Sequence, residues 1–140
     1  MESCVFCNVV GGKTPSHIVF KDNVSLAFLD RRPLFLGHCL LIPLDHHETI
    51  ENLLDNLIGQ LFSNAKYLST AVQKATNADG TFIAINNRVS QSVPHLHIHI
   101  VPRRAKDGLR GFFWPRQKYE SNQAASDMQQ AIRKELSKET

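Results

Sequence analysis

Apolar and polar positions alternate strictly in one stretch of the second half of the chain. Three histidines are each followed by an aliphatic residue: His95-Leu96-His97-Ile98-His99-Ile100-Val101. Such alternation predicts a half-buried β-strand over 95–101. Successive side chains of a strand point to opposite faces, so the three imidazoles should share one face while the aliphatic residues face a core.

The rest of the apolar pattern predicts a mixed fold. Short apolar runs bounded by turn residues predict four more strands, at 17–21, 25–30, 37–43 and 81–86. From about 49 to 76, apolar residues recur every three or four positions, which predicts a long amphipathic helix. A C-terminal helix is predicted over 121–137, with an apolar face formed by Ala125, Met128, Ile132 and Leu136. Strands grouped around a long helix are typical of an α+β fold with an antiparallel sheet of about five strands.

Length and composition narrow the class of protein. The chain has 140 residues, enough for one domain with a substantial core, and its formal net charge is only +3. This charge gives no reason to expect nucleic-acid binding. Residues 1–10 lack a basic region followed by a long apolar region, and no apolar run approaches membrane-spanning length. We therefore expect a cytoplasmic protein without a membrane partner.

Basic residues are concentrated between positions 103 and 118. This stretch contains six lysines and arginines and one acidic residue, Asp107. This loop also contains Trp114. Two interpretations are open at this point. The loop is either a binding surface for an anionic ligand or a solvated basic segment.

Three histidines on one strand face suggest chemistry. A neutral imidazole offers a lone pair that can attack phosphorus or bind a metal, and an ordinary histidine has a pKa of about 6.5. The group could therefore supply a nucleophile, an acid and a ligand within a short distance. Two alternatives remain: an exposed polar face that is merely rich in histidine, and a catalytic zinc held by the alternating histidines.

The three cysteines point to a metal more than to a disulfide. Cys39 lies in an apolar run and is expected to be buried, whereas Cys4 and Cys7 form a C-x-x-C pair. An odd number of cysteines without an export signal argues against a disulfide framework. Two cysteines supply half of a tetrahedral zinc site, and the other ligands could come from His46, His47 or the histidine strand.

Taken together, these stretches resemble the histidine-triad (HIT) superfamily of nucleotide hydrolases and transferases, and in particular its bacterial-type, zinc-containing members. The motif at 95–101 matches the family signature of three histidines alternating with apolar residues. CVFCNVVGGKTPS, LAFLDRRPLFLGHCLLIPLDHH and SQSVPHLHIHIVPR extend the similarity over about residues 4–103. The resemblance implies one HIT domain over 1–140, with a motif-bearing core at about 4–104 and a loop and C-terminal helix at 105–140.

The resemblance also implies roles around the triad. His97 would attack the α-phosphorus of a nucleotide conjugate, and the covalent nucleotidyl-histidine would then be hydrolysed by water. His99 would assist the leaving group as an acid or hydrogen-bond donor. Ser92 and Gln91 would donate hydrogen bonds to the phosphoryl oxygens. His38 would hydrogen-bond to the triad.

The nucleoside and metal sites follow from the same resemblance. Asp30 would bind the ribose hydroxyls and Asn86 would lie near the phosphate. The base pocket would be lined by Val5, Phe6, Val9 and Phe28. A structural Zn²⁺ would be held by Cys4, Cys7, His46 and His95, with His47 as the alternative to His46.

Family resemblance leaves the substrate open. Expected substrates are purine nucleotide conjugates, either dinucleoside polyphosphates or nucleoside phosphoramidates. Two other functions remain alternatives: a nucleotide-binding regulator with incidental hydrolysis, and a nucleic-acid deadenylase. We also expect a homodimer in which the long helix and a sheet edge meet their symmetry mates.

Overall fold

The computed structural model describes residues 4–109 and 116–137. The chain divides into two compact units, Met1–Asp107 and Gly108–Thr140, which are considered separately. The predicted strands and helices are all present, and the predicted α+β class is confirmed.

The first unit is built on one antiparallel sheet of five strands. Its strands are β1 (Ile18–Lys21), β2 (Ser25–Leu29), β3 (Cys39–Pro43), β4 (Gly80–Ile85) and β5 (Ile98–Arg103). The spatial order is β1-β2-β3-β5-β4, and every neighbouring pair is antiparallel. In the described part of the chain, β5 is therefore an interior strand, with β3 on one side and the edge strand β4 on the other.

Each face of the sheet is covered by a helix that packs on its own apolar cluster. Helix α2 (Asp55–Thr76) packs against the face that contains the fully buried Leu96, Ile98 and Ile100. A six-residue helix, α1 (Val5–Val10), packs against the opposite face. The alternation in the motif thus directs its aliphatic residues towards α2 and its histidines towards the α1 face.

Two boundaries differ from the predicted ones. β5 begins at Ile98 and not at His95, because the partner strand β3 pairs with it only from Leu41 opposite Ile98 onwards. The long helix begins at Asp55, six residues later than predicted. It is preceded by a 3₁₀ turn over Ile50–Asn52, and the extended backbone of Leu54 separates the two.

Helix α1 was not predicted, since six residues are too few to show helical periodicity. Cys4 is its N-cap, and the thiol of Cys4 accepts a hydrogen bond from the backbone N–H of Cys7. The helix thus begins at one cysteine of the C-x-x-C pair and includes the other.

The second unit contains helix α3 (Asn122–Ser137), close to its predicted range. Its apolar stripe includes Met128, Ile132 and Leu136, all largely exposed. Among the described residues, no helix combines the length and apolar character needed to cross a membrane.

Gly37, in the loop before β3, gives a test of the packing. Its φ is +102°, and an added Cβ would lie 2.5 Å from Cγ2 of Thr76, the last residue of α2. Gly37→Ala should lower the free energy of unfolding by about 1–3 kcal/mol, the usual range for a residue held in a disfavoured backbone region. Urea denaturation measures this change.

Gly59→Ala is the matched control for this test. Gly59 lies within α2 with open space around its Cα, so alanine should stabilise the helix by up to about 1 kcal/mol. A Gly37→Ala protein as stable as the wild type would contradict the packing described here.

Candidate active site and metal centre

A pocket of about 250 Å³ opens on the α1 face of the sheet. Its lining includes eight residues that the sequence assigned to catalysis or nucleotide binding: Val5, Phe6, Val9, Phe28, Asp30, Ser92, His97 and His99. The Phe6 ring packs edge-on against the rings of Phe28 and His97, with centroids 5.4 and 5.0 Å apart. Helix α1 therefore forms an apolar wall directly beside the histidines.

A backbone hydrogen bond fixes the protonation of His97. Its Nδ1 lies 2.7 Å from the carbonyl oxygen of His95. A carbonyl can only accept, so Nδ1 carries the proton, and the neutral ring keeps its lone pair on Nε2. Burial lowers the pKa of His97, although the His95 carbonyl and Asp30 act in the opposite direction. The residue is therefore suited to act as a neutral nucleophile.

His99 is held by His38. Nε2 of His38 lies 3.0 Å from Nδ1 of His99, and Nδ1 of His38 accepts the backbone N–H of Leu34 at 3.1 Å. Burial lowers the pKa of His99 to about 4, with His97 and His38 adding to the effect and Asp30 opposing it. His38 is buried, and its pKa is likewise lowered, mainly by burial. The expected contact between His38 and the triad is therefore present in the structure.

Asp30 directly follows β2. Its carboxylate lies between the backbone of Arg32 and the ring of His38. One oxygen accepts the backbone N–H of Arg32 at 2.9 Å, and the other lies 3.6 Å from Nε2 of His38. The side chain of Asp30 is 23% exposed. It is thus held in place and still open to a ligand.

Two of the predicted nucleotide-binding residues are not among those that line this pocket. Asn86 follows β4 and is exposed. The Gln91 amide is engaged at both ends. Its oxygen accepts the N–H of Arg88 at 2.8 Å, and its nitrogen donates to the carbonyl of Glu48 at 2.6 Å. Gln91 braces the loop before the motif, and the structure gives it no direct place in the pocket.

Sequence reasoning missed six other lining residues: Thr14, Ser16, Arg31, Arg32, Leu40 and Val93. Adjacency could have indicated some of them, because both arginines follow Asp30 directly. The basic loop at 103–118 is only partly described. Arg103 forms a two-bond ion pair with Asp107 at 2.6 and 2.9 Å, whereas Arg110 and Trp114 lie outside the described residues.

The C-x-x-C pair meets two histidines in a compact cluster. The possible ligand atoms of Cys4, Cys7, His46 and His95 all lie within 4.8 Å of one another. Nδ1 of His95 is 3.5 Å from each sulfur, and Nδ1 of His46 is 3.3 Å from the Cys7 sulfur. These four residues are the predicted zinc ligands, and the cluster contains His46 and not His47.

Distances and hydrogen bonds in this cluster fit a tetrahedral metal. Zinc bonds of about 2.3 Å to sulfur and 2.0–2.1 Å to nitrogen place neighbouring ligand atoms about 3.6 Å apart. Nε2 of His95 lies 3.1 Å from the carbonyl of Pro43, so Nε2 carries the proton and the lone pair of Nδ1 faces the sulfurs. The donor set, two thiols and two imidazoles, is also one that zinc prefers.

His47 differs from its neighbour. Its backbone carbonyl accepts the N–H of Leu96 at 2.6 Å, which ties this loop to the motif. Its ring Nε2 is buried and has no hydrogen-bond partner among the described residues.

Comparison with known proteins identifies the class. A five-stranded antiparallel sheet that presents alternating histidines to a pocket beside a C-x-x-C cluster is the arrangement expected of a histidine-triad protein. The family model described as the HIT domain matches residues 12–106. The chain belongs to the HIT family.

Two curated relatives are named as hydrolases. The chain is 36% identical over 110 residues to "Adenylylsulfatase HINT3" of Arabidopsis thaliana, covering 77% of this chain and 56% of that protein. It therefore spans little more than half the length of this relative. It is 29% identical over 119 residues to "Adenosine 5'-monophosphoramidase HNT1" of Candida albicans, covering 81% of this chain and 78% of that one.

A solved structure that contains zinc is similar to this chain in fold. It is a zinc-bound histidine triad family protein from Mycobacterium smegmatis, with a TM-score of 0.73 and 30% identity. The match covers 97% of each chain.

Proposed function

We propose that this chain hydrolyses nucleotide conjugates at the α-phosphorus through a covalent nucleotidyl intermediate on His97. The observation that carries the proposal is the hydrogen bond from Nδ1 of His97 to the His95 carbonyl, because it leaves Nε2 as the free nitrogen of a pocket residue. Adenylylsulfate and phosphoramidate hydrolysis by the named relatives support the same class of reaction. Purine conjugates with phosphate, sulfate or amine leaving groups are the proposed substrates.

The reaction consists of two displacements. The lone pair of His97 Nε2 attacks the α-phosphorus, the bond from phosphorus to the leaving group breaks, and its electron pair departs with that group. The ring of His97 becomes cationic, and the His95 carbonyl stabilises it through Nδ1–H. Water then attacks phosphorus, the P–N electron pair returns to Nε2, and the proton from water passes to solvent.

Other pocket residues would position the substrate. We assign Asp30 to the ribose hydroxyls, since its carboxylate is fixed by Arg32 and still accessible. Base contacts are assigned to the apolar wall of the pocket, formed by Val5, Phe6, Val9 and Phe28. Ser92 is the proposed hydroxyl donor to the phosphoryl oxygens.

We further propose that Cys4, Cys7, His46 and His95 hold a structural Zn²⁺. When bound, the ion would tie the start of α1 to the loop after β3 and to the motif. His97 is not a member of that cluster, which separates the proposed metal site from the proposed nucleophile.

His97→Ala tests the covalent mechanism. Turnover of a nucleotide ester with a good leaving group should fall by roughly 10³-fold or more, the scale seen when a covalent nucleophile is removed. Wild-type protein quenched within milliseconds should carry the nucleotide by mass spectrometry, as an acid-labile and base-stable adduct, whereas His97→Ala should carry none.

His17→Ala is the control for this experiment, because His17 is exposed and is not a lining residue. Zinc and nucleotide binding should persist in His97→Ala. Loss of metal from that variant, together with an absence of adduct on the wild type, would favour a catalytic zinc. Tight nucleotide binding by the wild type with negligible turnover of every conjugate would favour a regulatory role.

Metal analysis tests the zinc proposal. Protein purified without chelator should contain about one zinc per chain, and Cys4→Ser combined with Cys7→Ser should lose it. Cys39→Ser is the matched control, because Cys39 is buried elsewhere and its thiol lies beside the Gly37 carbonyl. The control should keep its zinc. Zinc retained by the double variant would exclude this site.

We propose a homodimer formed through α2 and a sheet edge, as expected from the sequence, and we assign β4 as that edge. Ile83 on β4 is 43% exposed, which leaves an apolar side chain open at this edge of the described sheet. Light scattering at micromolar concentration should give twice the mass of one chain. Ile83→Glu should reduce the measured mass to that of a single chain. A Leu36→Glu control, on an exposed loop residue, should stay dimeric. A monomeric wild type would contradict the proposal.

A further inference from the structure

A backbone group outside the pocket decides where the protons of two histidines lie. The N–H of Leu34 donates to Nδ1 of His38 at 3.1 Å. An amide N–H can only donate, so Nδ1 of His38 must hold a lone pair. The proton of the neutral His38 ring is therefore on Nε2, which lies 3.0 Å from Nδ1 of His99.

The same constraint passes on to His99. Because Nε2 of His38 donates, Nδ1 of His99 must accept, and the proton of the neutral His99 ring is on Nε2. A second proton on His99 would have to sit on Nδ1, facing the N–H of His38. His38 could yield only by moving its own proton to Nδ1, where it would face the N–H of Leu34. Full protonation of His99 therefore requires the Leu34 hydrogen bond to break.

This constraint also argues against a second metal site. Atoms of Asp30, His38 and His99 lie close enough together to suggest one, all within 4.8 Å. A metal there would need a lone pair on Nε2 of His38, and the Leu34 N–H assigns the proton to that atom. The cluster is better explained as a hydrogen-bonded chain that ends at the pocket.

We propose that the Leu34 N–H is a positioning group that, acting through His38, keeps His99 neutral with its proton on Nε2. His99 then donates a hydrogen bond to the leaving group without giving up a proton. This inference rests on the proposed function and specifies how the leaving group departs. The electron pair of the broken bond stays on the leaving group, and the proton stays on His99.

As a consequence, the site should select substrates by the acidity of the leaving group. Groups that are stable as anions, such as sulfate, phosphate or a carboxylate, leave without a proton. A basic group such as an amine has to obtain its proton from solvent or bring it on the substrate. Mixed anhydrides of a nucleoside monophosphate are accordingly the substrates that the site is best arranged to cleave.

The groups around His99 also favour its neutral form. The groups that act on the pKa of His99 are His97, two residues before it, His38 before β3, and Asp30 after β2. The charged Arg31 and Arg32 line the same pocket. Of the two partner strands, β4 (Gly80–Ile85) contains no titratable side chain, and β3 pairs Leu40 with His99 while its Cys39 belongs to the apolar cluster beneath α2. Burial and the two histidines lower the pKa of His99, and Asp30 is the single group that opposes them.

Nitrogen NMR of the histidine rings tests the constraint without any substrate. Between about pH 5.5 and 7.5, where an ordinary histidine gains its proton, wild-type His99 should keep an unprotonated Nδ1 and a protonated Nε2. Leu34→Pro removes the N–H, and Leu34→Ala keeps it. The pKa of His99 should rise by at least about one unit, or tenfold in proton affinity, in the proline variant and stay unchanged in the alanine variant.

A leaving-group comparison tests the consequence. The 4-nitrophenyl and phenyl esters of one nucleoside monophosphate differ only in the acidity of the leaving phenol. For the wild type and Leu34→Ala, the ratio of phenyl to nitrophenyl turnover should stay constant over that pH range. For Leu34→Pro, the ratio should rise about tenfold towards the acid end, because His99 can then supply a proton.

Each outcome bears on a separate claim. A doubly protonated His99 in the wild type at pH 6, or a wild-type ratio that rises as steeply as that of Leu34→Pro, would overturn the inference. If Leu34→Pro does not fold, the wild-type spectra and the wild-type ratio still decide it. Wild-type spectra as expected, with neither ester hydrolysed, would refute the proposed function and leave the proton assignment standing.

Discussion

The hydrogen bond from His97 Nδ1 to the carbonyl of His95 is the contact on which the account of this site depends. At 2.7 Å it holds the ring of one motif histidine against the backbone of another, two residues earlier. It exists because alternation along the motif turns both histidines to the α1 face, while Leu96 and Ile98 are buried beneath α2. Packing of the aliphatic residues on one face of the sheet thus orients the histidines on the other face.

Hydrogen bonds to backbone groups determine which ring nitrogen is protonated in each of these histidines. The carbonyl of Pro43 accepts a hydrogen bond from Nε2–H of His95, so the lone pair is on Nδ1 and faces the cysteines. The carbonyl of His95 leaves the lone pair of His97 on Nε2, and the N–H of Leu34 sets His38 and through it His99. Of these three backbone groups, the Pro43 carbonyl belongs to β3, the His95 carbonyl lies just before β5, and the Leu34 N–H lies in the loop before β3. The position of each backbone group therefore decides which nitrogen of each imidazole keeps its lone pair.

Sequence patterns predicted most of this arrangement, and the exceptions have physical reasons. Alternation and helical periodicity identified the five strands, α2 and α3, because each has enough residues to show its period. Helix α1 has six residues and shows no period, and its start depends on the Cys4 cap. The strand boundary at Ile98 depends on where β3 pairs, which is a tertiary fact.

The site residues also divide into those that the sequence pattern predicts and those that depend on tertiary structure. Phe28 and His99 lie together at the pocket because β3 pairs Leu40 with both of them. Gln91 was assigned by its position next to Ser92, but loop residues can turn either way, and its amide bonds to the backbone of Glu48 and Arg88. Arg31 and Arg32 line the pocket through a loop whose path the sequence did not reveal.

A crystal structure with a bound nucleoside monophosphate would test the central claim most directly. We expect the phosphate to lie against Nε2 of His97, the ribose hydroxyls on the Asp30 carboxylate, and the base against the apolar wall formed by α1 and Phe28. A phosphate bound to a metal at the Cys4 cluster, or a nucleotide outside this pocket, would contradict it.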